Sequence, residues 1–134
     1  MRLKRPFVIS IALLGACKSP TASEQMDSIK SWLATAEMVG TAWLRHTTPD
    51  KYSRQTLELS RETVLQISND LMASLPPATD SAVLDSVLVR NRRHLDQMAR
   101  LIAAKNASDF RLQLDSLRAD EKIVRQIADG MPKQ

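Results

Sequence analysis

Residues 80–130 read DSAVLDSVLVRNRRHLDQMARLIAAKNASDFRLQLDSLRADEKIVRQIADG, two amphipathic patterns parted by one break at Asn106 and Ala107. Before the break, Leu84, Leu88, Asn91, Leu95, Met98 and Ile102 recur at steps of three and four. After it, Phe110, Leu114, Leu117, Glu121, Val124, Ala128 and Met131 do the same. That spacing lays one apolar stripe along a helix of period 3.6, whereas a strand would alternate every second residue. Thr79 or Asp80 starts the first helix, Ser108 and Asp109 start the second, and Gly130 ahead of Pro132 offers a left-handed stop. A break this short turns two rods of similar length back on each other.

The same grammar continues toward the N-terminus. Thr48-Pro49-Asp50 is a cap followed by a proline at the first helical position, and Pro76-Pro77 ends the segment it opens. Between them Leu57, Ser60, Val64, Ile67, Leu71 and Leu75 form the stripe. Met26, Ile29, Leu33, Ala36, Gly40 and Trp43 form the stripe of the segment before it. Thr21 with Glu24 makes a capping box there, or Ser23 caps it, and Arg45 and His46 suit the negative end of its dipole. With three glycines and 4% aromatic residues, no strand pattern emerges. The sequence predicts an all-α, up-down-up-down antiparallel four-helix bundle over residues 23–131. Its helices fall near 23–46, 49–75, 80–105 and 108–130, each roughly 36 to 39 Å long.

The first sixteen residues belong to a different regime. Arg2, Lys4 and Arg5 precede an uncharged run from Phe7 to Ala16, the layout of an export signal. That run falls well short of the roughly 20 residues that a stable membrane-spanning helix needs. It closes on Leu14-Gly15-Ala16-Cys17, which resembles the lipobox of bacterial lipoproteins: an aliphatic residue, two small residues for the signal peptidase, and the cysteine that accepts lipid. The resemblance implies a signal peptide over residues 1–16, acylation at Cys17, a short tether over 17–22, and insertion of the acyl chains in the lipid bilayer. Multiple acyl chains make such attachment durable, where one chain holds only reversibly. Lys18 after the cysteine leans toward the periplasmic face of the outer membrane. The competing reading is an ordinary cleaved signal with Cys17 an incidental thiol. As the only cysteine, Cys17 has no partner for an intramolecular disulfide, so packing must stabilise the domain.

Net charge excludes one class of partner. The formal charge is +4, but three of the 19 basic residues lie in the removable segment, which nearly balances the rest against 15 acidic residues. A near-neutral domain has no global electrostatic reason to bind nucleic acid.

Two polar residues interrupt the stripes. Antiparallel register brings Asn91 and Glu121 to the same height, with Leu33 and Val64 in that layer. A lone buried carboxylate costs several kcal/mol, so Glu121 must find a donor, take up a proton or reach water. The leading expectation is a buried polar layer in which the Asn91 amide donates to Glu121, helped by Arg92, Lys122 or Arg125. The alternatives make Glu121 an internal ligand or proton acceptor, or place it in water at the stripe's edge. Nearby, the small residues Ala36, Gly40 and Ser60 either let helices approach closely or leave a pocket beside Trp43 and Met98; close approach is the commoner outcome.

Familiar chemistries lack their residues. A di-iron bundle needs Glu-x-x-His on two helices, yet Trp43 and Asn91 stand three before His46 and His94. His94 and Met98 share one helix face, whereas axial haem ligands come from opposite sides. No Gly-x-Ser-x-Gly and no glycine-rich phosphate loop occurs. Arg111, Arg118 and Arg125 recur every seven residues, and Arg90, Arg92, Arg93 and Arg100 crowd the third helix. Interleaved Asp96, Asp115 and Asp120 favour a solvated face with local ion pairs. Trp32 and Val39 either widen the first stripe or mark a partner surface.

These residues predict no enzyme and no cofactor. They predict an envelope lipoprotein acting as a non-enzymatic binding or structural module, its helical faces offered to a protein partner or to itself. The alternative is a carrier or sensor bundle for a small ligand, metal or haem.

Overall fold

The computed structural model describes residues 19–77 and 79–133. Four helices run in chain order, α1 (Ala22–Leu44), α2 (Asp50–Ser74), α3 (Ser81–Ala103) and α4 (Ala107–Asp129), and no strand occurs among the described residues. Each helix packs against the next, and α4 closes back on α1 to complete the antiparallel four-helix bundle. That closing contact is the least extensive of the four.

Side chains set three of the four helix starts. Thr21 and Glu24 form a reciprocal capping box, the Thr21 hydroxyl accepting from the Glu24 amide at 3.2 Å. Asp80 accepts from the Val83 amide at 3.1 Å. Asn106, rather than Ser108, caps α4 by accepting from the Asp109 amide at 3.1 Å, because its amide oxygen reaches the free N–H groups one turn ahead. Pro49, rather than Thr48, holds the cap position of α2 without a side-chain bond. The Thr48 hydroxyl pairs with that of Ser53 at 2.8 Å instead.

The helix stops depart further from expectation. Gly130 stays right-handed at φ −83°, so the predicted left-handed stop is absent there. Left-handed residues occur at His46 (φ 58°) and Lys105 (φ 54°), where α1 and α3 end. In both turns the next amide reaches back into the last helical turn, Thr47 to the Ala42 carbonyl and Asn106 to the Leu101 carbonyl, each at 2.9 Å. These bonds satisfy carbonyls left free at the helix end and let the chain reverse within a few residues. Trp43 secures the first turn by donating from its indole nitrogen to the Asp50 carboxylate at 2.8 Å.

One continuous core fills the interior, with Ile29, Leu33, Leu57, Val64, Leu88, Leu95, Met98, Phe110 and Leu117 shut from water. On α2 the core position is Ser68, while Ile67 and Leu75 are only partly buried. The Ser53, Ser60 and Ser68 hydroxyls of α2 all donate to the carbonyl four residues earlier, which for Ser53 is that of the cap residue Pro49. Bonded in this way, serine acts as a small spacer without an orphaned donor. Val39 is buried and Trp32 packs against the core, so both widen the α1 stripe. No helix among the described residues is long and apolar enough to cross a membrane.

Candidate functional site: an acidic pair between the first and last helices

The predicted polar layer is buried but wired differently. Asn91 is fully enclosed on α3, and neither its amide nitrogen nor its amide oxygen has a hydrogen-bond partner among the described residues. Its expected bond to Glu121 is therefore not made. Glu121 is 4% exposed and takes its donors from its own helix, where Arg125 Nε lies 2.8 Å and Nη2 2.6 Å from Oε1. One helical turn separates the two residues, so a flexible guanidinium reaches the carboxylate more easily than a short amide does from α3.

Glu121 also meets a residue that the seam pattern passed over. Glu37, on α1, is near enough across the α1–α4 seam for its carboxyl to feel the charge of Glu121. Oε1 of Glu37 is sealed from solvent with no donor facing it. Desolvation first, and then the nearness of Glu121, push the Glu37 carboxyl up to about 8, while Arg118 and Arg125 pull the other way. Arg118 spans the same seam by donating to the Thr41 hydroxyl at 2.9 Å.

A surface groove of about 480 Å³ runs along α1 beside Glu37, with Arg118 of α4 at its edge. Ala34, Met38 and Thr41 form one wall, with Glu37 and Arg118 beside them. The groove, the acidic pair and the Arg118 bridge all lie in the seam where helix packing is sparsest.

The space around Ala36, Gly40, Trp43, Ser60 and Met98, where a pocket was the alternative to close helix approach, is filled. A Cβ placed on Gly40 would lie 3.2 Å from both Met98 Cε and Phe110 Cζ, and the Phe110 ring stacks obliquely on Trp43 at 4.6 Å between centroids. Glycine there lets the Phe110 ring rest on the α1 backbone. Ala36 and Ser60 are equally enclosed, so small residues serve close approach. Both ring nitrogens of His94 are engaged, Nδ1 with Gln113 at 2.9 Å and Nε2 with Asp120 at 3.0 Å. A metal at His94 would have to displace one of these bonds. Arg90 joins Asp120 at 3.2 Å, and Arg100 and Arg61 share Asp96, which places these arginines in local ion pairs.

Leu14, Gly15, Ala16 and Cys17 lie outside the described residues. Glu37 carried one sequence signal, being the only acidic or basic residue between Lys30 and Arg45. A charge isolated on an otherwise uncharged length of helix must answer to a partner elsewhere in the fold. No protein-family model, curated protein or solved structure matches the chain.

Proposed function

We infer that the chain is an envelope lipoprotein, tethered through an acylated Cys17 at the periplasmic face of the outer membrane. Its bundle is a non-enzymatic module that offers helical faces to a protein partner or to a second copy. The observation that carries this reading is the closeness of the lipobox cysteine to the capped start of α1 at Thr21. Three intervening residues allow a reach of at most about 14 Å, so the anchor would stand the bundle directly on the bilayer. The end holding the α1 start, the Pro76-Pro77 turn and the α4 stop then faces lipid. The sides of the helices project into the aqueous space.

A filled interior favours work done on the outside. Met38, Leu65 and Leu112 are exposed by 66%, 42% and 65%, on α1, α2 and α4 respectively, and give three apolar reporters on different faces. The test has two parts. Labelled fatty acid should enter the wild-type protein and be lost with membrane association in Cys17→Ser; membrane retention of that variant would end the tether reading. Photo-crosslinkers at the three exposed positions, in intact envelopes, should give a discrete adduct from one face. A failure at all three, with a small molecule co-purifying with the protein, would favour a carrier instead.

A further inference from the structure

We propose that a cleft between the α1–α2 and α3–α4 turns binds a small zwitterion with an apolar side group, of the chemistry and size of a free amino acid. The proposal stands on the fold alone and does not depend on the tether.

Topology supplies the place. In an up-down-up-down bundle these two turns share one end, and their residues enclose a cleft of about 270 Å³. Trp43, Leu44, His46 and Asp50 line it from the first turn, Lys105 and Ala107 from the second. Sites for larger, drug-sized ligands begin at about 300 Å³, so this one suits a molecule no bigger than an amino acid.

Backbone strain converges on the same cleft. His46 (φ 58°) and Lys105 (φ 54°), the left-handed non-glycine residues among those described, both line it. Reversing the chain requires that backbone but not these side chains, and glycine would adopt it with less strain. Each turn thus carries strain at a residue that sets a nitrogen-bearing side chain in the cleft wall. Outliers of this kind gather where ligands are held.

The charges in the cleft are unmatched. Elsewhere on this surface opposite charges neutralise each other, as in Lys30 with Asp27, Arg90 with Asp120, Arg100 with Asp96 and Arg118 with Asp115. Lys105 and Asp50 share one cleft, yet neither makes an ion pair among the described residues. A ligand that carries both signs satisfies both. The Asp50 carboxylate is already oriented, since Oδ1 accepts from the Trp43 indole nitrogen at 2.8 Å and Oδ2 remains to take an ammonium. Lys105, aided by the His46 ring, meets the carboxylate. Leu44, Ala107 and the Trp43 ring supply apolar surface for the side group. A ligand with one charge would leave Asp50 or Lys105 desolvated without a counter-charge, which favours the zwitterion over a simple anion or amine.

Heteronuclear NMR spectra of the full-length chain, titrated with L-leucine and with L-phenylalanine, should show saturable shifts at the Trp43 indole and at the amides of 44–50 and 105–107. Lys105→Gln, and Asp50→Asn, which keeps an acceptor for the indole, should each weaken binding about tenfold or more through loss of one charge-assisted contact. Lys105→Arg, which keeps the cation, should retain it. Isocaproate and isoamylamine, which lack the ammonium and the carboxylate of leucine respectively, should bind more weakly by a similar factor. Absence of saturation by about 10 mM with both amino acids overturns the proposal. Equal binding of isocaproate would also overturn it by reducing the cleft to a plain anion site, and full affinity in Lys105→Gln would do so by placing the ligand elsewhere.

Discussion

Asn91→Leu should make this bundle more stable, against the usual rule that core substitutions do harm. Asn91 is fully enclosed, and both of its polar atoms lack partners among the described residues. A buried polar group without a partner costs about 1–3 kcal/mol, so two on one side chain represent roughly 2–6 kcal/mol relative to an apolar replacement. Leucine branches at the same carbon and turns the site into a continuation of Leu88 and Leu95 on the α3 stripe. Allowing about 1–2 kcal/mol for imperfect fit leaves a net gain of about 1–4 kcal/mol. Urea unfolding followed by circular dichroism would read this as a higher midpoint at unchanged slope, and a thermal scan as a rise of roughly 4–16 °C. Asn91→Ala should gain much less, since the cavity left behind offsets the relief. Were Asn91→Leu to unfold at lower urea than wild type, the amide must hold a partner in solution, and the polar position would be sustaining the fold.

Four further perturbations probe other parts of the structure. Gly40→Val should cost about 1–3 kcal/mol in urea unfolding, because its side chain enters space already held by Met98 and Phe110; Phe110→Leu in the same chain should recover part of the loss. Ser60→Ala and Ser68→Ala should each lie within about 1 kcal/mol of wild type, since each removed hydroxyl was bonded to its own helix; a large loss in either would point to a bond between helices. Lys105→Gly should raise the thermal midpoint by a few degrees, as glycine removes roughly 1 kcal/mol of left-handed backbone cost less its own unfolded-state entropy. Stability of the wild type should fall as pH rises from about 4.5 to 8, because Glu37 takes up its proton more readily when folded; Glu37→Gln should flatten that limb of a urea-midpoint profile.

The helices and their order could be read along the chain. Capping residues and prolines act through neighbours on the chain, and a stripe at steps of three and four is a property of one helix, so Thr21 with Glu24, Asp80 and the α1 and α3 stripes were all legible locally. Short connections between rods of matched length left little choice of topology. Stops were less legible, since left-handed backbone favours glycine but does not demand it. The chain spends that conformation on His46 and Lys105, where a reversal must fit into a few residues, while Gly130 stays right-handed. Which of the candidate polar groups meet followed from packing between helices. The height of Glu121 followed from register, but its partners depended on side-chain reach and on the rotation of each helix about its axis. Arg125 therefore took the carboxylate that Asn91 was expected to hold, and Glu37 arrived from a helix remote in sequence. Whether Ala36, Gly40 and Ser60 enclosed a pocket or brought helices together rested on where the Phe110 ring came to lie. A ring carried by a distant helix is positioned only when the whole core closes, because close packing is a property of all its neighbours at once.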